Sequence, residues 1–219
     1  MGQIDDMTKH QKRWWVPLLV VVSCLCIGAP VIFETMYRPF KVPTGTMKPT
    51  ILGIETLPDG SRTIGDHVFV NKVVYKFWAP ARGDVVVFST KKILHSAVRQ
   101  NEYFVKRIVG LPGETISISP PYVMANGKRI EEPEIFRIMA EQKNGYSGYK
   151  LASKTGTEPK SFLATTNDEL RLGPDEYLVF GDNSASSLDG RYFGPIKRGA
   201  IIGPVTFRYF PFNRIGRIL

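Results

Sequence analysis

From Trp14 to Phe33 the chain runs for twenty residues without a charge, WWVPLLVVVSCLCIGAPVIF. At about 1.5 Å of rise per residue, such a helix spans roughly 30 Å, the apolar thickness of a bilayer. It is apolar on every face, which a helix lying on a soluble core is not. Trp14 and Trp15 open it and Tyr37 follows it, as interfacial aromatics do. Pro17 falls in the first turn, where its missing N–H costs little, and Pro30 predicts a kink or an end. The rival is a cleaved signal peptide, whose apolar region is usually about 7–15 residues with a small-residue cleavage site. This run is longer, and Ala29-Pro30-Val31 is a poor site. The expectation is an uncleaved anchor over 14–36 behind a short N-terminal segment, 1–13. Lys9, Lys12 and Arg13 precede the span, and Arg38, Lys41 and Lys48 follow it, so charge alone leaves the orientation open.

Beyond Met36 the chain changes character. Short runs of Val, Ile, Phe and Tyr are broken by Gly and Pro. Residues 68–70, 73–75, 85–88, 103–109, 115–119, 177–180 and 205–210 read as strands. Long helical periodicity is absent, so the fold class is mainly β with antiparallel connections. The stretch from Pro120 to Arg171 is richer in Glu, Lys, Gly, Ser and Thr and poorer in apolar residues. It reads as an insertion with its own short strands and mobile loops, Asn126-Gly127 marking a hairpin turn. The expected division is therefore 37–119 and 172–219 as two parts of one β domain, with 120–171 inserted.

Composition limits the function. Of the 219 residues, 29 are Lys or Arg against 20 Asp or Glu, a formal charge of +9. Cys24 and Cys26 lie inside the apolar run, too close together to staple a fold, and His10, His67 and His95 are the only histidines. A disulfide scaffold and a Cys- or His-rich metal site are thereby disfavoured. After Asp189 come six basic residues and no acidic ones, interleaved with aromatics. Such a tail suits nucleic acid, a lipid headgroup layer, or strands with solvated charges. With an anchor in the same chain, the lipid surface is the preferred partner and nucleic acid is not expected.

Three segments carry reactive groups. Pro43-Thr44-Gly45-Thr46-Met47-Lys48-Pro49-Thr50 sets two hydroxyls about a glycine. Such a turn can expose a hydroxyl and aim N–H groups at one point. In Phe104-Val105-Lys106-Arg107-Ile108, a strand puts Lys106 on one face between Phe104 and Ile108. Desolvation there lowers a lysine pKa, and a neutral amine can act as a general base. Gly181 to Gly194, GDNSASSLDGRYFG, is a loop of small polar residues in which Asp189 and Arg191 can pair and a serine can orient an amine. Singly, these segments are also what a polar linker turn, a snorkelling lysine and an Asx-rich surface turn look like.

Together, in this order and behind an anchor, they resemble the bacterial type I signal peptidases, the Ser/Lys-dyad enzymes that cut signal peptides from exported proteins. PTGTMKPTI, GDHVFVNKVVYKF, RGDVVVF, VKRIVGLPGE, GDNSASSLDGRYFG and FRYFPFNRIG carry the resemblance over most of the chain. It implies a signal-peptidase-like antiparallel β catalytic domain with a small β insertion and one transmembrane helix. It implies Thr46 at the nucleophile position and Lys106 as general base. Thr44 would be an oxyanion donor, Ser187 the hydroxyl orienting the lysine, and Asp189 and Arg191 a supporting pair. The family writes the motif with serines where this chain has Thr44 and Thr46, and often has serine where this chain has Gly190. The resemblance further implies a monomer in the bacterial cytoplasmic membrane, catalytic domain outside, needing no cofactor and cutting signal peptides after Ala-X-Ala-like sites. The alternatives are a homologue that binds exported peptides without cutting, or a peptidase dedicated to a pilin or conjugation precursor.

Overall fold

The computed structural model describes residues 15–23, 26, 29–153 and 161–218. The chain forms two units, 1–38 and 39–219. In the first unit, α1 (Trp15–Ser23) and α2 (Ala29–Met36) bury none of their residues. Pro17 lies within α1 and Pro30 within α2; residue 14 before the first helix and residues 27 and 28 before the second lie outside the described residues. No helix among the described residues is long and apolar enough to cross a membrane. Residues 24, 25, 27 and 28, in the middle of the expected span, and the segment 1–13 lie outside the described residues.

The second unit is antiparallel β. Its strands are β1 (Tyr37–Lys41, whose first two residues belong to the first unit), β2 (His67–Asn71), β3 (Val85–Ser89), β4 (Tyr103–Gly110), β5 (Thr115–Ser119), β6 (Tyr122–Ala125), β7 (Lys128–Arg129), β8 (Leu170–Arg171), β9 (Glu176–Phe180), β10 (Ile196–Lys197), β11 (Ile201–Phe210) and β12 (Gly216–Arg217). One sheet runs β1-β2-β11-β3-β4-β9-β10, with β12 on β11. A second runs β7-β6-β5-β8. The centre of the large sheet is the run Val85-Val86-Val87-Phe88, buried on both faces. It pairs Val86 with Lys106 on one side and with Pro204 on the other. The long, non-alternating apolar run belongs in that central place, because neither of its faces meets water.

Two elements of this unit differ from expectation. Residues 73–75 are not a strand: α3 (Val74–Phe77) begins there. The Asn71 side chain accepts from the N–H groups of Val73 and Val74 at 2.9 and 3.0 Å, which turns the chain out of β2. The insertion forms its short strands, with Asn126 and Gly127 at φ 50° and 75° closing β6 onto β7. It also forms α4 (Ile135–Ala140). Its apolar residues are few but converge. Val123, Ile130, Phe136, Met139, Tyr149 and Leu163 share one buried cluster with Val109 of β4 and Leu178 and Phe180 of β9. Part of the expected mobile loop, 154–160, lies outside the described residues.

The basic tail is largely spent inside the fold. Arg208 and Arg214 converge on the fully buried Asp66, at 3.3 and 2.9 Å. Arg191 pairs with Asp189 and Lys197 with Glu176. Arg198 donates to the Tyr75 carbonyl and lies 5.3 Å over its ring. These contacts account for five of the six tail cations without any external anion.

Candidate active site

Thr46 is held by a turn that the core grips from below. Gly45–Met47 is a single 3-10 turn, and Met47 is wholly buried among Val42, Ile51, Val68 and Val70. Ile51 N–H donates to the Met47 carbonyl at 3.0 Å and fixes the exit. Gly53 lies against the start of the turn. A Cβ there would stand 2.1 Å from the Thr44 carbonyl carbon, so only glycine allows the approach. Thr44 itself is exposed and extended, at φ −123° and ψ 150°.

Strand β4 delivers Lys106 to this turn. Its Nζ is hydrogen-bonded to Thr46 Oγ1 at 2.8 Å and donates to the Val105 carbonyl at 3.1 Å. The residue is 3% exposed. Burial pushes its pKa down to about 8, against the smaller upward pull of Asp189 and Asp182 and with a further downward push from Arg191. The Phe104 ring lies 5.4 Å from Nζ, one of the two apolar neighbours expected on that face.

The loop after β9 closes the site. Asn183 holds the Thr46 turn twice: its N–H donates to the Thr46 carbonyl at 3.0 Å and its Nδ2 to the Gly45 carbonyl at 3.1 Å. Gly181 leaves the room for this. A Cβ there would come 2.1 Å from Ser187 Oγ and 2.6 Å from the Thr46 carbonyl oxygen. Asp189 and Arg191 pair as expected, Nε to Oδ1 and Nη2 to Oδ2 both at 2.8 Å. Asp189 also accepts from Gly181 N–H at 2.9 Å. Arg191 reaches on to the Lys150 carbonyl and to both the hydroxyl and the carbonyl of Ser184. The expected bond from Ser187 to the lysine is not among the site's contacts. The Ser187 hydroxyl is buried without a partner.

Beneath the pair lies a second cluster that the three sequence segments did not reveal. Arg107 Nε and Nη2 donate to Asp182 Oδ1 and Oδ2 at 2.9 and 2.7 Å, and Nη1 donates to the Gly83 carbonyl at 2.7 Å. The Thr50 hydroxyl donates to Asp182 as well. A fully buried cation and anion demand such a set of partners. The available signal was a charged Arg107 beside Lys106 in an apolar strand, and an acidic residue directly after Gly181.

The chemistry open to this geometry is proton transfer from a hydroxyl to a nearby amine that is neutral in much of its population near pH 8. Among the described residues, no group of three or more His, Cys, Asp or Glu is placed to hold a metal ion.

Comparison with known proteins agrees with the resemblance. A family model described as signal peptidase, peptidase S26, matches residues 12–210. A signal peptidase I of Leptolyngbya laminosa is 30% identical over 198 residues, covering 88% of this chain and 80% of that protein. A signal peptidase IB of Staphylococcus aureus is 30% identical over 208 residues, covering 94% and 93%. A crystal structure of a signal peptidase I from Enterococcus faecalis is 25% identical over 59% of this chain and 98% of that one, with a TM-score of 0.41. With the family model matched over most of its length, the chain belongs to the signal peptidase family, peptidase S26, a family of serine endopeptidases.

Proposed function

We propose that this protein is a membrane-anchored endopeptidase that removes signal peptides from exported preproteins, with Thr46 as nucleophile and Lys106 as general base. The observation that carries the reading is the 2.8 Å contact between Lys106 Nζ and Thr46 Oγ1, with the amine buried and its pKa lowered. The neutral amine accepts the Thr46 hydroxyl proton as the oxygen attacks the scissile carbonyl carbon. The resulting oxyanion is met by the Thr44 hydroxyl and the Thr46 N–H. The C–N bond then breaks, and the departing amine takes the proton from Lys106. Water attacks the threonyl ester, giving its proton to Lys106, and the freed Thr46 oxygen regains one.

The protonated Lys106 has three N–H groups. Thr46 and the Val105 carbonyl occupy two, and the orphan hydroxyl of Ser187, packed against the same Gly181 position, is the acceptor we assign to the third. Asp189 and Arg191 hold the loop that carries Ser187. The substrate enters extended: β4 pairs with β9 from Arg107 onward, and before it Phe104 and Val105 pair with β3. Small residues before the cut, in an Ala-X-Ala pattern, follow from the family. The apolar run over 14–36 is the anchor, with residues 1–13 on the cytoplasmic side of a bacterial inner membrane.

The test compares wild type, Thr46→Ser and Thr46→Ala on a preprotein in detergent. Cleavage by wild type and none by Thr46→Ala is the expected result. Cleavage by Thr46→Ser alone makes the natural chain a binder of exported peptides that does not cut.

A further inference from the structure

The cluster beneath the pair contains one partner that comes from the inserted segment. Thr50 Oγ1 lies 2.8 Å from the Tyr146 hydroxyl. Counting protons fixes the direction of that bond. The Asp182 carboxylate, paired with Arg107, only accepts, and Thr50 gives its single proton to it. Tyr146 therefore donates to Thr50, whose oxygen also accepts from Arg107 Nη2 at 3.3 Å. Tyr146 is itself fixed. Its ring packs on the cluster formed by the insertion with β4 and β9, and its N–H donates to the Lys143 carbonyl at 3.0 Å.

We propose that Tyr146, a residue of the insertion, is a positioning residue for the Lys106–Thr46 pair, acting through Thr50 and Asp182. The inference rests on the catalytic reading above. Thr50 ends the turn, 48–50, that directly follows the 3-10 turn carrying Thr46. Asp182 precedes Asn183, whose two bonds hold the Gly45 and Thr46 carbonyls. The guanidinium on Asp182 belongs to the residue after Lys106. One carboxylate thus joins the three segments that set the distance between amine and hydroxyl, and Tyr146 limits how Thr50 can leave it. Without Tyr146 the Thr50 oxygen keeps only the long contact from Arg107 Nη2, at 3.3 Å, and its hydroxyl is freer to turn away from Asp182.

The experiment uses the full chain in detergent with Tyr146→Phe, Thr50→Val, Thr50→Ser and the Tyr146→Phe/Thr50→Val pair. It reads kcat and KM on one signal-peptide substrate, and hydrogen exchange of segments 44–52 and 181–185. Loss of one hydrogen bond in the network is expected to lower kcat about 5–10-fold in Tyr146→Phe and in Thr50→Val. KM stays within about twofold, since Tyr146 touches no substrate. The double variant falls no further than Thr50→Val, because both changes cut one path. Thr50→Ser keeps wild-type kcat. Exchange quickens in both segments. The proposal is overturned if wild type cuts and Tyr146→Phe keeps its kcat, if the loss lies in KM alone, or if the two losses multiply. If wild type does not cut, the catalytic reading has failed, and exchange decides alone: unchanged exchange in Tyr146→Phe overturns the positioning role, and faster exchange supports it.

Discussion

Lys106 and Arg107 are consecutive residues of β4, both cationic by type and both buried. Alternation along the strand sends them to different surroundings. Burial pulls the Arg107 pKa down, but the charge and hydrogen bonds of Asp182 outweigh it and hold the guanidinium protonated. Lys106 meets a hydroxyl and a carbonyl, while the carboxylates of Asp189 and Asp182 act on it only through space. Burial wins there, and its pKa falls to about 8. Burial alone therefore does not set the charge of an interior cation. The acceptor it touches does. The same strand supplies a structural cation that keeps its proton and, one residue away, an amine that can give its proton up.

The largest effect expected from breaking this contrast is on the Lys106 side. Lys106→Met removes the base and lowers cleavage by roughly 10²–10⁴-fold, read as kcat on a preprotein. The same change stabilises the fold near neutral pH. A lysine at about 8 in the fold and near 10.5 when unfolded binds fewer protons folded than unfolded between those values. Wild-type stability therefore rises from pH 8 to 10.5, by up to about 3 kcal/mol, and below pH 8 the full penalty is present. Denaturant unfolding across that window should show wild type gaining stability relative to Lys106→Met as pH rises.

On the Arg107 side, Asp182→Asn leaves a buried guanidinium without its anion. The expected loss is about 3–5 kcal/mol of unfolding free energy. A loss under about 1 kcal/mol would show that water, not Asp182, satisfies Arg107. The smallest effect is at Ser187. Above pH 8, where Lys106 is mostly neutral, its orphan hydroxyl contributes nothing to the fold, so Ser187→Ala there leaves thermal stability unchanged or raises it by about 1 kcal/mol. It lowers kcat less than about tenfold, because only the protonated state of Lys106 uses that acceptor.

How much of this could be read from residues alone follows from distance along the chain. Strands β3, β4, β5 and β9 were legible because each is dense in β-branched or aromatic residues, in a run or in alternation, which leaves few alternatives. The switch to α3 after Asn71 was not, since Val73-Val74-Tyr75 reads as strand until the Asn71 side chain is seen capping it. The helix at Ile135 is only six residues long, too short for a periodic signal. In the site, the turn around Gly45, the strand lysine and the polar loop were each visible but ambiguous. Their meeting across 60 residues came from the family pattern and not from spacing. The Thr50–Asp182 tie spans 132 residues and joins two side chains of ordinary type, which leaves no local trace. The internal partners of the tail cations, Asp66, Asp189 and Glu176, were hidden for a related reason, because spacing along the chain does not show which carboxylates a strand cation will meet.

The central claim is that the amine at 106 gives up its proton inside the fold, and titrating that amine tests it most directly. Lysine labelled with ¹³C at Cε reports its own protonation by chemical shift, and Lys106→Arg identifies the resonance. The account predicts a midpoint near pH 8 for Lys106, well below the ordinary lysine value of about 10.5. A Lys106 resonance with its midpoint near that ordinary value would contradict it.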